Sequence, residues 1–388
     1  MELTQSYPLT EGRVYFDTAV TGACPESTIS LIEEYIRGAA ATLRGKRGPI
    51  TGSERWGERR VGSKRLFAKA IGASEGEVAF VPNATMGINT AFAMVAPGRG
   101  ENVVTTDLSF PMGAVVVNKQ REKEVEPRFI RCEGGRVDPD AFEEAVDDDT
   151  RAVLVDQATW FNGFLYDLSA ISEIAHDHGA YLIVDATQSV GALDWDVKSS
   201  GVDFLTSSTY KWMLGGPLTL SAGFLFIDEE HIDELKAPYV GNQTLQPEQA
   251  KTNVEDRFDL YEYKPREGIG RLEVFPRSEL SYVAAGNSLG VLLSHGIDRI
   301  ETHIKGLGTK LIDGLLDRGY GLQTPVEEER RIYLNVKVPE FKEIGRRLAE
   351  TCIVVSPRVG GLRVSPHFYN TEDEVETFLE SLDEAING

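Results

Sequence analysis

Short runs of apolar residues alternate with segments of helical periodicity between residues 77 and 228. The runs are rich in Val, Ile and Leu, a composition typical of strands that are buried on both faces of a sheet. They predict strands at residues 77–81, 101–106, 151–159, 180–188, 202–208 and 222–228. Because helical patterns separate the runs, the alternation predicts an α/β fold with a mostly parallel sheet covered by helices.

The pattern changes after residue 237. Residues 238–271 are polar and irregular, and helical periodicity then runs from Glu279 to about Leu316. Beyond it, "RIYLNVKV" and "GGLRVSP" predict strands, and "FKEIGRRLAETC" and "TEDEVETFLESLDEAI" predict helices. Thr371 and Glu374 have the spacing of a capping box at the start of the last helix.

This change of pattern predicts two domains. A large domain covers residues 14–280, and a smaller α+β domain covers residues 281–388 together with residues 1–13. With 41% apolar residues, the chain can bury a sizeable core.

A carboxylate ends one of the most apolar predicted strands. Asp185 follows "AYLIV", and in a parallel α/β sheet ligands bind at the carboxyl ends of the strands. A buried carboxylate costs several kcal/mol unless a donor or a cation meets it. Asp185 is therefore either the cap of a following helix or the partner of a cationic ligand. Gln188, three residues later, could face the same place.

A lysine follows the next predicted strand and is itself followed by apolar residues. In "SSTYKWMLGGP", Lys211 precedes Trp212, Met213 and Leu214. Desolvation by such neighbours lowers the pKa of a lysine and frees its amine to attack a carbonyl group. The alternative is a lysine whose stem lies on apolar surface while its ammonium group reaches water.

The strand at residues 77–81 leads into "PNATMGIN", where Asn83, Ala84 and Thr85 open a helix. Free N–H groups and the positive end of the helix dipole make such a start a natural phosphate site, although capping alone also explains the residues. A lysine for an aldehyde, a carboxylate for a ring nitrogen and a phosphate cradle are together what pyridoxal 5′-phosphate (PLP) requires.

Composition narrows the possible partners. The 40 basic and 61 acidic residues give a net charge of −21, which argues against nucleic acid and anionic membranes as partners. The three cysteines are far apart, so we expect neither a disulfide framework nor a metal site. No apolar run approaches the ~20 residues of a membrane span, and the N-terminus lacks the features of a secretory signal. A cytoplasmic location is expected.

Two long motifs carry a resemblance to a known family. "VDATQSVGALDWDVKSSGVDFLTSSTYKWMLGGP" and "LRVSPHFYNTEDEV" resemble, in the right order, class V aminotransferase-fold enzymes, which include cysteine desulfurases, isopenicillin-N-epimerase-like proteins and kynureninases. "VYFDTAVTGACP" and "RGPITGSERWGERR" resemble the family's N-terminal segment and following helix. The likeness covers nearly the whole chain and implies PLP-dependent fold type I, with a homodimer whose active sites lie at the subunit interface.

The resemblance implies roles for individual residues. Lys211 would form the Schiff base with PLP, and Asp185 would hold the pyridinium N–H of its ring. Gln188 would donate a hydrogen bond to the phenolic oxygen. Phe110 would stack on the ring where desulfurases carry His. Arg363 would bind the carboxylate of an amino-acid substrate with both arms of its guanidinium group.

The resemblance also implies a phosphate site. Ser208 and Tyr210 would bind the phosphate, with Tyr210 standing where desulfurases have His. Thr85 would contribute its side chain, together with the backbone at Ala84 and Met86.

Two positions depart from the family pattern. Phe275-Pro276 stand where relatives often have a Gly-Thr pair whose threonine reaches the phosphate of the neighbouring subunit; Ser278 is a weak substitute. Trp160 stands where relatives often have Asn, so the substrate pocket should be larger or more aromatic than in a desulfurase.

Desulfurases also carry a reactive cysteine on a loop before the C-terminal arginine strand, whereas residues 353–361 contain none. We therefore expect an aminotransferase acting on an amino acid, and not a cysteine desulfurase. A C–S or C–C lyase or an epimerase of the same family stays open, as does a non-catalytic binding protein on this fold. We expect Cys352 to be buried and inert at a helix end or strand start.

Overall fold

A computed structural model describes residues 3–44, 53–220, 222–249, 262–274 and 278–387. Its strands, numbered in chain order, are β1 (Val14–Tyr15), β2 (Val78–Val81), β3 (Asn102–Thr106), β4 (Glu126–Ile130), β5 (Thr150–Asp156), β6 (Tyr181–Asp185), β7 (Phe204–Ser208), β8 (Gly223–Ile227), β9 (Leu334–Lys337), β10 (Ile353–Val354), β11 (Ser356–Arg358) and β12 (Gly361–Val364). Its α-helices are α1 (Glu26–Arg44), α2 (Ser53–Ala70), α3 (Ala84–Val95), α4 (Pro111–Lys119), α5 (Asp140–Ala145), α6 (Leu168–Asp177), α7 (Glu229–Ile232), α8 (Glu279–His295), α9 (Ile297–Asp317), α10 (Phe341–Glu350) and α11 (Glu372–Asn387).

A seven-stranded sheet forms the centre of the molecule, in the order β2-β8-β7-β6-β5-β3-β4. The strands from β4 to β7 across the sheet are parallel, and β8 runs antiparallel between β2 and β7. Alternate residues of one strand enter different cores: Val153 and Val155 belong to one apolar cluster, Ala152 and Leu154 to another. Burial on both faces explains the long apolar runs in the central strands, and the predicted mostly parallel α/β sheet is confirmed.

The sheet brings the chemically interesting residues to one edge. Parallel strands end on the same side, and here Asp156 ends β5, Asp185 ends β6 and Ser208 ends β7. Helix α3 starts at the same edge, directly after β2, with the Asn83 side chain accepting the Met86 N–H at 2.9 Å.

The turn after β7 presents Lys211 to this edge. Trp212, Met213 and Leu214 are buried in the core beneath it. The N-terminal segment closes over the turn, because the Gly22 N–H donates to the carbonyl oxygen of Tyr210 at 2.8 Å. A Cβ atom on Gly22 would overlap the carbonyl oxygen of Lys211, so only glycine allows this approach.

The C-terminal residues build a second, smaller sheet. Strands β11, β12 and β9 pair antiparallel, and α9, α10 and α11 share an apolar core with them. The predicted capping box of α11 is confirmed, with Thr371 N–H donating to Glu374 and Glu374 N–H to Thr371.

The N-terminal strand β1 pairs with β10, while α8 packs on α2 of the large sheet's covering layer. The predicted domain boundaries stay a prediction, although these contacts place Val14 and Phe16 in the core of the C-terminal unit.

Candidate active site

A cavity opens at the carboxyl ends of β5, β6 and β7. It holds about 400 Å³ of atom-free space, part of it open to solvent, a size typical of small-molecule sites. Its lining consists of Ala84, Thr85, Phe110, Asp156, Ala158, Trp160, Asp185, Thr187, Gln188, Ser208, Tyr210 and Lys211. The structure thus brings most of the sequence-predicted site residues to one cavity; Met86 and Arg363 lie outside its lining.

Lys211 is the cation of this cavity. Its side chain is buried, with 8% of the residue exposed, and Nζ lies 5.4 Å from the centre of the Phe110 ring. Burial is the main cause that lowers the pKa of Lys211 to about 8, and the positive charge of Arg363 acts in the same direction. The carboxyl groups of Asp185 and Asp156 oppose both. About a tenth of the amine is therefore an unprotonated nucleophile at pH 7, far more than in an exposed lysine with a pKa of about 10.4.

Asp185 faces Lys211 from the end of β6. Its Oδ1 accepts the Thr187 N–H at 2.9 Å. Burial raises the pKa of this carboxyl group, while the hydrogen bonds from Thr187 and the charge of Lys211 lower it. The hydrogen bond from the Thr187 N–H orients the carboxyl group without neutralising it, so Asp185 can pair with a cationic ring nitrogen.

The start of α3 can hold a phosphate, and Thr85 is the residue best placed for it. The Ala84 N–H donates a hydrogen bond to Ser208 Oγ at 2.9 Å, and the Met86 N–H donates one to Asn83 Oδ1. Within the described part of the chain, the Thr85 N–H has no protein acceptor. A free N–H and a hydroxyl group at a helix N-terminus are what an anion needs.

Gln188 and Tyr210 line the same cavity at different places. The amide oxygen of Gln188 accepts the Trp212 Nε1–H at 2.8 Å, and its Nε2 donates to the Ala19 carbonyl at 3.1 Å. Because an amide nitrogen has two hydrogens, one remains for the cavity. Burial, assisted by Asp185, raises the pKa of Tyr210, so its hydroxyl group is a neutral donor.

Two aromatic side chains form part of the cavity wall. The rings of Phe110 and Trp160 meet edge to face, with their centres 6.0 Å apart. Trp160 is half-buried. That the pocket is larger or more aromatic than in a desulfurase stays a prediction. Asn162, two residues later, is buried elsewhere and bonds the carbonyls of Gly135 and Gln323.

Arg363 lies behind the Trp160 wall. It is 2% exposed; its Nη1 donates to the Trp160 carbonyl at 2.6 Å, and its Nη2 lies 3.5 Å from Asp17 Oδ1. Its Nε has no hydrogen-bond partner among the described residues. A buried guanidinium group with an unused donor fits an anion as its missing partner. A two-armed grip on a substrate would require Arg363 to turn away from these neighbours.

Asp156 is a functional candidate that sequence reasoning missed. It is 4% exposed and lies beside Asp185, its register partner on the neighbouring strand. The signal was present, since Asp156 ends the apolar run "RAVLV" as Asp185 ends "AYLIV".

None of the three cysteines lines the cavity. Burial raises the pKa of Cys24 to about 12. Cys352 follows α10, as expected, but the expectation that it is buried is wrong: it is exposed, at a turn residue with a φ of 63°. Among the described residues no cluster of His, Cys, Asp or Glu has the arrangement of a metal site.

Taken together, the residues of the cavity fit PLP. The lowered pKa of Lys211, the carboxyl group of Asp185 and the open N–H of Thr85 supply the three kinds of partner that the cofactor needs. Phe275-Pro276, the departure in the neighbouring-subunit motif, lies outside the described residues, and Ser278 bonds Ser281 at 2.8 Å. No described helix is long and apolar enough to span a membrane.

Comparison with other sequences identifies the family. The profile described as Aminotransferase class-V matches residues 14–378. A probable cysteine desulfurase of Methanothermobacter thermautotrophicus is 27% identical over 412 residues, covering 99% of this chain and 97% of that protein. The uncharacterized aminotransferase YcbU of Bacillus subtilis is 28% identical over 322 residues, or 82% of each chain.

Solved structures show the same fold. The apo structure of a cysteine desulfurase from Thermococcus onnurineus NA1 has a TM-score of 0.87 at 24% identity and covers 98% of this chain and 96% of that one. The cystine C–S lyase C-DES, in complex with its product cysteine persulfide, has a TM-score of 0.85 at 18% identity, with coverage of 97% and 99%. These likenesses confirm fold type I of the PLP-dependent enzymes. Since the family profile spans nearly the whole chain, the protein belongs to the class-V aminotransferase family, whose cofactor is pyridoxal 5′-phosphate.

Proposed function

We propose that the protein is a PLP-dependent enzyme that acts at the α-carbon of an amino acid, with transamination as the reaction. The observation that carries the proposal is the convergence of Lys211, Asp185 and Thr85 on one cavity at the carboxyl edge of the sheet. Family membership supports the cofactor, and two relatives bear the name of an uncharacterized aminotransferase.

When bound, PLP supplies an electron sink for a bond that breaks at the α-carbon. The chain's own residues then have separate tasks. Asp185 balances positive charge at the ring nitrogen, and Thr85 with Ser208 holds the phosphate. Lys211, whose pKa near neutrality suits proton transfer, takes and returns the α-proton through Nζ. Arg363 attracts the substrate carboxylate, and Trp160 with Phe110 excludes water.

The position of the thiols argues against desulfuration, although three relatives are named cysteine desulfurase or probable cysteine desulfurase. That reaction needs a thiolate that reaches the substrate sulfur. Cys24 has its pKa raised to about 12, and neither Cys132 nor Cys352 lines the cavity. A lyase that releases sulfur without a protein thiol is the second candidate, because it needs no reactive cysteine; the cystine C–S lyase C-DES shares the fold, as cysteine desulfurases do.

Product analysis separates these reactions. We expect each active amino acid to yield more than one equivalent of its oxo acid per subunit only when a second oxo acid is present to accept the amino group. Oxo acid and ammonia without an acceptor, together with free sulfide from cysteine or cysteine persulfide from cystine, would establish the lyase instead. Alanine with sulfur bound to Cys24 or Cys352 would establish a desulfurase. Loss of chirality alone would indicate an epimerase, and bound PLP with no product from any amino acid would leave a binding protein.

The role of Lys211 has its own test. The protein loaded with PLP should be yellow, and borohydride should fix the cofactor to Lys211 as found by peptide mapping. The variant Lys211→Ala should lose the visible band, while Lys119→Ala, which alters an exposed lysine, should keep it. A reducible adduct in Lys211→Ala would refute the assignment. The homodimer and the cytoplasmic location stay predictions.

A further inference from the structure

Two carboxyl groups, not one, end at the lysine side of the cavity. Asp156 and Asp185 are register partners on the parallel strands β5 and β6, and both line the cavity. Register partners in a parallel pair point to the same face of the sheet, so the two carboxyl groups stand side by side. The proposed function gives a task to Asp185 alone.

Asp156 is held in place by backbone. Its Oδ2 accepts the Phe110 N–H at 2.8 Å, at the first turn of α4. This bond ties Asp156 to an aromatic residue that also lines the cavity. It also leaves the second oxygen, Oδ1, without a protein hydrogen bond within the described part of the chain.

The surroundings of Asp156 hold little positive charge. The titratable groups that act on it are Asp185 on β6, Lys211 after β7, and the buried hydroxyl groups of Tyr166 and Tyr333. Burial, and next the charge of Asp185, hold the pKa of Asp156 well above its usual range, against the opposing effect of Lys211. Two adjacent carboxyl groups facing one amine cannot both ionise at low cost, so one of them keeps a proton.

We propose that Asp156 and Asp185 form a proton-sharing carboxyl pair, in which Asp156 carries a proton while the cavity is empty and releases it when the cationic ring of the cofactor binds. The O–H bond of Asp156 breaks, the electron pair stays on the carboxylate, and the proton passes to solvent. The cavity then opposes the cations of the bound cofactor with two carboxylates. This inference rests on the proposed function, because it takes Asp185 as the partner of the ring nitrogen.

The test counts protons. Empty wild-type protein and the variant Asp156→Asn are titrated with PLP by calorimetry at about pH 6.5 in two buffers that differ in ionisation enthalpy. The asparagine keeps an oxygen for the Phe110 N–H but has no proton to release. Wild type should therefore release up to about one proton more per subunit than the variant. The affinity of the variant for PLP should also rise less steeply with pH than that of wild type.

A matched control is Asp107→Asn. Asp107 follows β3 at the same edge of the sheet and also accepts a backbone N–H, that of Cys132 at 2.9 Å, but it lies outside the cavity lining. Its variant should match wild type in both proton count and affinity. Equal proton release by wild type and Asp156→Asn, with PLP bound and the visible band formed in both, would overturn the carboxyl pair alone. Failure of wild type to bind PLP would overturn the proposed function itself.

Discussion

At the scale of single residues, the cavity is defined by ionisable side chains that are buried among apolar neighbours. Lys211 and Asp185 were recognisable in the sequence because each is a polar residue that directly adjoins a strongly apolar run. Asp156 obeys the same rule and could have been predicted from it. The partners of Arg363 could not, since the Trp160 carbonyl and Asp17 approach it only through tertiary folding.

Two substitutions of Arg363 separate its charge from its shape. Arg363→Lys keeps a cation near Lys211, so the pKa of Lys211 should stay at about 8. The variant loses the planar guanidinium group, which should raise KM for amino acids about tenfold. Arg363→Met removes the charge that helps to lower the pKa of Lys211, so this pKa should rise. The rate at which an amine reagent labels Lys211 in the empty protein, followed against pH, measures it. An unchanged labelling profile in Arg363→Met would contradict the electrostatic role.

At the scale of elements, six of the seven strands of the large sheet were predictable from apolar runs in the sequence. Each predicted strand of the large sheet corresponds to an observed one, whereas β4 escaped prediction because its sequence, "EPRFI", has polar residues at Glu126 and Arg128. The pairing of β1 with β10 was equally hidden, since each strand is two residues long and the two lie at opposite ends of the chain.

One contact between elements controls the position of Lys211. A methyl group at Gly22 would overlap the Lys211 carbonyl oxygen and the Leu214 side chain, so Gly22→Ala must displace either the N-terminal segment or the lysine turn. We expect a loss of about 1–3 kcal/mol in the free energy of unfolding and a weaker visible band after dialysis. The control is Gly57→Ala on α2, where a Cβ meets nothing within 4 Å and the helix should gain about 1 kcal/mol. Equal stability and colour in both variants would show that the contact does not matter.

At the scale of the whole molecule, the sheet has a second cluster of charge at its other edge. Asp203 directly precedes β7 and accepts hydrogen bonds from His176 at 3.0 Å and His231 at 2.7 Å, and from the Leu182 N–H at 2.7 Å. The length of a five-residue strand, about 17 Å, separates this cluster from the cofactor edge. It joins α6, β6, β7 and α7 without taking part in the proposed chemistry.

The cluster should make stability depend on pH, with a sign that its geometry determines. The hydrogen bonds to Asp203 raise the pKa of His176 and His231 in the folded protein. Their contribution is therefore complete below the unfolded value of about 6.5, and it is lost as pH rises through the higher folded values. Burial lowers the pKa of His367 to about 3, so this histidine makes the folded protein more stable as pH rises. The pH dependence of wild-type stability therefore combines both effects and cannot by itself reveal the contribution of the cluster.

The difference in the free energy of unfolding between wild type and the double variant His176→Gln/His231→Gln gives the contribution of the cluster. We expect the variant to be clearly less stable than wild type near pH 6, and the gap to narrow steadily towards pH 9, because the imidazole groups of wild type lose their charge over this range. Denaturant unfolding of the PLP-loaded proteins at a series of pH values measures the gap. His178→Gln, which breaks an exposed pair with Asp148, should stay within about 0.5 kcal/mol of wild type throughout. A gap that is constant with pH would mean that the two histidines contribute packing and hydrogen bonds but no charge.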